Sequence, residues 1–314
     1  MSKILFIVNP VAGGRRGVRR WRAFEKTLLE RSFQFDVGFT AGRGHALQLA
    51  ASAVKSGVPS VVAFGGDGTL NEVLNGFMQV PGQFRSLVRL GFVPAGSSND
   101  FLRSLGIPPA FSPDHCSERS PINLDVGKIE CRNHDGKAIE RYFLVNASMG
   151  VIPQALEFFN RQTRVNRILK RISLDLTVVA SGLNAIVRHR ICSYALRFDG
   201  KDWIERRLTN LALLRGIWFG GGMSYGAASK PDAGSFSVVG IDELSVVRRA
   251  MIMPLFYTGR VLSHPAVWKR ASSEIDVKSE FPGVLEADGE LVGFLPARFT
   301  IIPNALTIIV WGST

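Results

Sequence analysis

The stretch that decides the fold is VVAFGGDGTLNEVLNGF, residues 61–77. Its first four residues are apolar and include two β-branched valines, which is typical of a buried strand. Three glycines then interrupt the run, and apolar residues recur at helical spacing at Leu70, Val73, Leu74 and Phe77. The pattern predicts a strand, a glycine turn and a helix.

A turn of this kind suits an anion, because the first turn of a helix leaves backbone N–H groups unpaired and carries the positive end of the helix dipole. Glycine also lets the backbone approach a phosphate closely. Asp67 would repel a bare phosphate, so its presence suggests a magnesium ion, or a positioned hydroxyl or amide, between them. Thr69 and Glu72 fit a capping box, so helix initiation alone could explain those two residues, but it does not require Asp67 between glycines.

The same order of strand, loop and helix is predicted around three more apolar runs, at Ile4–Val8, 34–39 and 89–93. Strands separated by helices form a parallel sheet, and ligands collect at the loops that follow the carboxyl ends of such strands. We therefore expect four loops to converge on one ligand: residues 9–14, 40–44, 65–69 and 96–100.

The first of these loops is rich in possible phosphate contacts. Asn9, Gly13 and Gly14 could bring amide donors beside a nucleotide, and Arg15, Arg16 and Arg20 could bind phosphate oxygens in a bidentate manner. The alternative explanation for each arginine is the solvated start of a helix.

After about residue 114 the pattern changes to short alternating or β-branched runs with turn residues between them. These runs lie at residues 125–129, 141–148, 194–199, 208–218, 235–241, 273–277, 283–287 and 298–302. Such runs predict a mostly antiparallel β domain, and helices are expected at about 152–172, 174–187 and 245–262. The fold class is therefore an α/β N-terminal domain with a parallel sheet, followed by a second, mostly antiparallel domain. We place the division between residues 1–122 and 123–303.

Composition limits the functional classes. The chain has 314 residues, with 38 Lys and Arg against 26 Asp and Glu, and its net charge of +12 attracts polyanions such as nucleic acid, a nucleoside triphosphate or an anionic membrane. Three separated cysteines indicate neither disulfides nor zinc, so we expect a cytoplasmic protein. No apolar run approaches the ~20 residues of a membrane span, so we expect a soluble or peripheral protein.

A basic amphipathic helix is predicted around residues 158–171, where arginines alternate with apolar residues. Such a helix can lie on an anionic membrane. A domain helix with a solvated basic face is the alternative.

Near the end of the chain, the segment EADGE brings Asp288 and Glu290 to either side of a glycine. Phosphoryl transfer needs a metal, positive groups around the phosphates and a carboxylate that takes the acceptor's proton, and Asp288 is our candidate base. An Asp-Gly turn between two strands is the alternative. The five histidines are scattered, which argues against a metal cluster or a catalytic triad.

Seven motifs in this order resemble those of the bacterial diacylglycerol kinase-like lipid kinases, and the GGDGT core is shared with NAD kinases: NPVAGG, GGDGTLNEVLNGF, VPAGSSNDF, LDVG, VNASMG, FGGGM and EADGE. No G-K-[ST] follows the glycines, so the loop is not a Walker A motif. The resemblance implies an NAD-kinase-like nucleotide domain, a β-sandwich-like second domain and a cleft between them. It also implies that residues 304–314 return to the first domain.

The resemblance assigns nucleotide contacts to Asn9, Thr40, residues 66–72 and Ser97, and the proton acceptor to Asp288 or Glu290. Many members hold a structural magnesium in an Asp-Asp-Gly turn, for which this chain offers only Asp232 in KPDAG, so Asp67 and Asp232 are the two predicted metal ligands. The whole predicted nucleotide-binding set is Asn9, Gly13, Gly14, Arg15, Arg16, Thr40, Gly65, Gly66, Asp67, Gly68, Thr69, Leu70, Asn71, Glu72, Gly96, Ser97, Asn99 and Asp100.

The sequence thus predicts an Mg²⁺- and ATP-dependent lipid kinase, with diacylglycerol as the leading acceptor and ceramide or a sphingoid base as the close alternative. An anionic membrane surface is an expected partner, a homodimer is left open, and nucleic acid is not expected. One rival is an NAD kinase, which would act on a soluble dinucleotide. Another is a basic nucleic-acid-binding protein or a nucleotide sensor without catalysis, which would bind nucleic acid with steep salt dependence.

Overall fold

The first half of the chain forms a parallel sheet. The computed structural model describes residues 4–108, 110–113, 121–161 and 174–311. The four strands lie in the order β4-β3-β1-β2, and every neighbouring pair is parallel, as predicted. Their bounds are β1 Ile4–Val8, β2 Phe35–Phe39, β3 Ser60–Gly65 and β4 Arg89–Pro94.

In the described part of the first half, a short helical turn at Ala12–Arg15, with positive φ at Gly13 and Gly14, precedes five helices: α1 Gly17–Glu30, α2 His45–Lys55, α3 Asp67–Met78, α4 Gly82–Arg85 and α5 Asp100–Ser104. Helices α2 and α3 pack so closely that a Cβ atom on Gly76 would stand 2.1 Å from the carbonyl oxygen of Leu47. The capping box, which was the alternative explanation for Thr69 and Glu72, does not form, since α3 begins after Gly66 with no side-chain cap. Glu72 instead accepts the N–H groups of Gly44 and Ala46 at the start of α2, at 2.9 and 3.1 Å, so this side chain joins two helices.

The second half is built from antiparallel strands. They are β5 Ile122–Arg132, β6 Ala138–Phe143, β7 Asn146–Gly150, β8 Cys192–Phe198, β9 Trp203–Leu214, β10 Trp218–Phe219, β11 Met223–Ser224, β12 Phe236–Asp242, β13 Val267–Ser272, β14 Glu274–Ser279, β15 Val284–Ala287 and β16 Glu290–Val310. Among the described residues, the helices that interrupt them are α6 Val151–Asn160, α7 Leu174–Arg188 and α8 Val246–Thr258, and a 3-10 turn follows at Val261–Ser263.

The last strand, β16, joins the two halves. It pairs antiparallel with β5, β14 and β15, and its final residues run parallel to β4, with Ile308 opposite Leu90. Trp311 then packs against Phe6 in the aromatic core of the first sheet, at 5.9 Å between ring centres. The end of the chain therefore returns to the parallel sheet. Because the hydrogen-bonded sheet continues through β16, the boundary between residues 122 and 123 stays a prediction.

Two expected elements differ in the structure. The predicted strand at 141–148 is broken at Leu144 and Val145, because their amides donate to the carboxylate of Asp288 instead of to a neighbouring strand. Helix α6 ends at Asn160, and most of the predicted basic helix, including residues 162–173, lies outside the described residues. Within the described ranges, no helix is both long and apolar enough to cross a membrane.

Candidate active site

The four predicted loops meet at a cavity of about 430 Å³ at the carboxyl edge of the parallel sheet. The Asn9 side chain donates to the Thr69 hydroxyl at 3.0 Å, which ties the first loop to the glycine turn. Gly66 and Gly96 approach so closely that a Cβ atom on Gly96 would stand 2.4 Å from the Cα atom of Gly66. Nine residues of the predicted nucleotide set line this cavity: Asn9, Gly13, Thr40, Gly66, Gly68, Thr69, Glu72, Gly96 and Ser97.

The arginines in and just after the first loop do not line this cavity. Arg15 and Arg16 are exposed, and neither they nor Gly14 line it. Arg20 donates to the carbonyl oxygens of Ala95 and Gly96, at 2.6 and 3.3 Å, and so holds the fourth loop in place. Arg43 does line the cavity and pairs with Glu290. The sequence reading missed Arg43, although its position between Gly42 and Gly44 in a predicted ligand loop was a usable signal.

A second, mainly apolar cavity of about 320 Å³ lies on the other side of the glycine turn. Its apolar lining comes from α6, α7, the turn around β10 and β11 and the segment between β6 and β7, and includes Val145, Ile152, Ala155, Leu156, Phe159, Val178, Phe219 and Met223. Four carboxyl groups also face it: Asp67, Asp100, Glu286 and Asp288. Lysine, arginine and histidine are absent from the described residues that line it.

Asp67 marks the boundary between the two cavities, since its neighbours Gly66 and Gly68 line the first cavity while Asp67 lines the second. Its carboxylate accepts the N–H groups of Asp100 and Phe101, at 3.1 and 3.3 Å. Burial raises the pKa of Asp67 to about 6, and the backbone hydrogen bonds only partly oppose this rise. Asp67 is therefore a carboxyl group that changes its charge near neutral pH.

Asp100 was predicted at the nucleotide, but its side chain faces the apolar cavity. One of its oxygens accepts the N–H of Gly221 at 2.7 Å, and burial raises its pKa. Asn99, the residue before it, is buried and left-handed with φ 51° at the start of α5. The second Gly-Ser loop therefore contributes Gly96 and Ser97 to one cavity and Ser98 and Asp100 to the other.

Asp288, the candidate base, is held by four donors. One carboxylate oxygen accepts the amides of Val145 and Asn146, at 2.8 and 3.1 Å. The other accepts the Leu144 amide at 2.9 Å and the Asn71 side chain at 3.0 Å. Burial raises its pKa, and these hydrogen bonds oppose the rise. A carboxylate offers about four acceptor positions, so Asp288 has little capacity left for a substrate hydroxyl.

Glu286, two residues earlier, was missed by the sequence reading because a glutamate in a predicted strand gives no signal of burial. It is 3% exposed and accepts the Ser148 hydroxyl at 2.6 Å and the Gly289 amide at 2.8 Å. Burial raises its pKa to about 7. Glu286 thus stabilises the Asp-Gly turn of the EADGE segment through its hydrogen bond with the Gly289 amide.

Glu290, the other candidate base, lies on the nucleotide side. Burial raises its pKa, nearby Arg43 lowers it, and nearby Glu72 raises it further. The EADGE hairpin therefore contributes Asp288 to the apolar cavity and Glu290 to the polar one.

Three more residues of the predicted nucleotide-binding set have structural roles. Leu70 is buried in the core, Gly65 ends β3, and Asn71 donates to Asp288 and to the Tyr142 carbonyl oxygen.

The structure does not favour a metal at Asp232, which is exposed. The buried guanidinium of Arg215 donates to the carbonyl oxygens of Pro231 and Ser235, the latter at 3.1 Å, and pairs with Asp125 at 3.4 Å. The Pro231 carbonyl oxygen of the KPDAG segment therefore already binds a guanidinium. The assignment of a metal to Asp232 stays a prediction. Within the described ranges, no three His, Cys, Asp or Glu side chains group together as metal ligands.

Two family models match the chain. The diacylglycerol kinase catalytic domain matches residues 3–129, and the YegS C-terminal NAD kinase beta sandwich-like domain matches residues 160–310. A Bacillus subtilis (strain 168) protein with the provisional name lipid kinase YtlR is 25% identical over 318 residues, which cover 98% of this chain and 99% of the relative. A diacylglycerol kinase of Staphylococcus haemolyticus (strain JCSC1435) is 27% identical over 302 residues, which cover 93% and 83%.

Solved structures share the fold. A protein from Bacillus anthracis str. Sterne, provisionally named a diacylglycerol kinase, has a TM-score of 0.74 at 21% identity, covering 98% of this chain and 97% of the other. Yeast NADH kinase complexed with NADH has a TM-score of 0.51 at 11% identity, covering 99% and 84%. The predicted combination of an NAD-kinase-like domain and a β-sandwich-like domain is confirmed.

Proposed function

Because the chain belongs to the diacylglycerol kinase-like lipid kinase family, we propose that it transfers the γ-phosphoryl group of ATP to a primary hydroxyl group of a lipid. One observation carries the proposal. A polar cavity and an apolar cavity lie on opposite sides of a single glycine turn, and consecutive residues of that turn, Gly66 and Asp67, line one cavity each.

The polar cavity is the proposed site of ATP. Its glycines leave backbone N–H groups and space for phosphate oxygens, and α3 begins there with the positive end of its dipole. Arg43 adds a guanidinium that can bind phosphate in a bidentate manner. When ATP enters, we expect the phosphates to compete with Glu290 for Arg43.

The apolar cavity is the proposed site of the acceptor lipid, whose acyl chains would contact the side chains of α6 and α7. The headgroup hydroxyl would then lie at the carboxyl-lined end, next to the glycine turn. Diacylglycerol is the leading acceptor, and ceramide or a sphingoid base is the alternative. We propose a cytoplasmic enzyme that works at an anionic membrane surface.

Asp67 is the proposed general base. It faces the acceptor side, and its pKa of about 6 suits a group that must be ionised at neutral pH and still accept a proton. The lipid oxygen forms a bond to the γ-phosphorus as the bond from that phosphorus to the bridging oxygen of ADP breaks, and the hydroxyl proton passes to Asp67. Asp288, whose oxygens already accept four donors, positions the hairpin instead.

Magnesium would accompany ATP, and the residues present fit it on the nucleotide side. Glu290 lines that cavity, whereas both oxygens of Glu72 already accept the amides of Gly44 and Ala46, so Glu290 is the carboxylate that could hold the ion there. The ion would neutralise developing charge on the phosphate oxygens. A carboxylate that coordinates magnesium is not free to accept the hydroxyl proton, so the predicted magnesium ligand Asp67 conflicts with the proposed base. Variants of Asp67 and Glu290 therefore test which residue has which role.

The test is transfer of label from [γ-³²P]ATP to diacylglycerol, sphinganine, ceramide and NAD in mixed micelles. Asp67→Asn should reduce kcat by at least about 100-fold with unchanged affinity for ATP. Glu290→Gln should instead raise the concentration of Mg²⁺ that half-saturates the enzyme.

The wild-type kcat/KM should also fall about tenfold per pH unit below pH 6, because Asp67 becomes protonated there. Labelling of NAD but of no lipid would contradict the proposal and support the NAD kinase rival. Retained lipid labelling in Asp67→Asn would exclude this residue as the base.

A further inference from the structure

Helix α7 carries an apolar row that stays exposed among the residues that the structure describes. Val179, Leu183 and Val187 are 51%, 54% and 66% exposed. They are spaced four residues apart, so they lie along one face of the helix. Single exposed apolar residues are common, but three in a row on one helix face indicate a surface with a partner.

Helix α8 lies beside α7 and adds a second row. Val247 and Met251 are 69% and 70% exposed, again four residues apart. The buried Arg249 of α8 donates to the carbonyl oxygens of Ile186 and His189 near the end of α7, at 2.9 and 2.8 Å.

Further along α8, Met253 lies next to Gly182, which is earlier in α7. The two helices therefore run antiparallel. By helical periodicity, the row of α7 lies opposite its buried Ser181 and Ala185, and the row of α8 lies opposite its buried Ile252 and Phe256, so both rows face away from the core.

The opposite side of α7 belongs to the proposed acceptor site. Val178 and Ser181 line the apolar cavity, together with Ile152 and Phe159 of α6. One helix therefore separates the acceptor cavity from the exposed apolar rows, so a bilayer in contact with the rows would lie beside the cavity that takes up a lipid.

Exposed arginines flank the rows, and the acidic Glu243, just before α8, is paired with Arg207 at 3.1 Å. Arg188 and Arg190, at the end of α7, and Arg248, next to Val247, are all exposed. Helix α8 contains no acidic residue, and the chain as a whole carries a net charge of +12. Exposed apolar side chains flanked by arginines fit the boundary between the acyl chains and the anionic headgroups of a membrane.

We propose that the exposed rows of α7 and α8, residues 179, 183, 187, 247 and 251, form the surface that docks on an anionic lipid bilayer. The inference deepens the proposed lipid kinase function, since it names the face that brings the acceptor cavity to its substrate. Docking itself requires no catalysis and can be measured without it.

The test is co-sedimentation of the full-length protein with vesicles of phosphatidylcholine, with and without phosphatidylglycerol. Leu183→Glu and Met251→Glu each introduce a negative charge at an exposed position, where folding tolerates the change. Each should weaken binding to the anionic vesicles by about tenfold or more. The matched control is Leu29→Glu on α1, since Leu29 is 63% exposed and lies on the other half of the chain, and it should bind like the wild type.

A parallel assay measures phosphorylation of a short-chain diacylglycerol dissolved as monomers, where docking is not needed. Leu183→Glu should retain wild-type activity there and lose it on vesicles.

Equal vesicle binding by Leu183→Glu, Met251→Glu and the wild type would overturn the inference. So would a wild-type dimer in sedimentation velocity that both variants convert to monomers, because the rows would then face a second copy. If the wild type phosphorylates no lipid in either format, the proposed function fails, whereas the binding data still decide the docking surface.

Discussion

Replacing Asp67 by Asn should make the protein more stable at neutral pH while it stops phosphoryl transfer. Burial raises the pKa of Asp67 from 3.8 to about 6 in the folded state, so the folded protein holds a proton more tightly than the unfolded chain does. The charged carboxylate therefore opposes folding above pH 6. This opposition is absent below about pH 4 and grows as the pH rises from 4 to 6.

The magnitude follows from the pKa shift. A shift of about two units corresponds to about 3 kcal/mol in favour of the neutral side chain at pH 7.5. Asn keeps one of the two oxygens that accept the amides of Asp100 and Phe101, and the lost acceptor costs about 1 kcal/mol. The net gain is about 2 kcal/mol, or about 3 to 5 °C in the midpoint of thermal unfolding.

The assay is thermal unfolding of the wild type and Asp67→Asn, followed by circular dichroism at pH 7.5 and at pH 4.5. We expect the variant to unfold at the higher temperature at pH 7.5, and the difference to shrink at pH 4.5. Asp202→Asn provides the control for removal of one negative charge, since Asp202 is exposed and lies just before strand β9. A variant less stable than the wild type at pH 7.5 would refute the claim that Asp67 is held in an unfavourable charged state.

Three further substitutions test the framework of the site. Arg215→Met leaves Asp125 buried without its guanidinium partner and should lower the free energy of unfolding in urea by about 3 to 5 kcal/mol. EDTA should leave the stability of the wild type unchanged, and a loss of stability in EDTA would instead support a structural metal. Gly96→Ala inserts a Cβ atom 2.4 Å from Gly66 and should weaken binding of a fluorescent ATP analogue about tenfold or more, and unchanged affinity would contradict the close approach of the two loops. Asp288→Asn turns an amide N–H₂ towards backbone donors and should lower the unfolding free energy by about 2 kcal/mol, a loss that a merely catalytic base would not produce.

Much of the fold follows from local pattern. The strand, glycine turn and helix at residues 60–78 formed as predicted, because a fully buried strand of a parallel sheet is apolar throughout and a helix keeps its own period. The four loops converge because parallel strands bring their carboxyl ends to one edge. The antiparallel half was predicted as a class, but β13 was missed, since Trp268, Lys269 and Arg270 give no clear alternation.

The side chains that organise the site are less accessible to sequence reasoning. Glu72 appeared to cap its own helix and instead bonds to amides of α2, because α3 packs against α2 at Gly76. Asp288 looked like a free carboxylate in a turn, but the amides of residues 144–146, more than 140 positions away in the chain, converge on it. Such partners depend on tertiary packing, which no local motif encodes.

The central claim is that ATP and a lipid occupy two cavities that meet at Asp67. The most direct measurement is transfer of ³²P from [γ-³²P]ATP by the wild-type protein to diacylglycerol or a sphingoid lipid in mixed micelles, with the product identified by chromatography against phosphatidic acid and sphingoid phosphate standards. We predict one labelled lipid monophosphate, formed in proportion to enzyme and abolished by Asp67→Asn. A wild-type protein that binds ATP but labels no lipid would contradict the account.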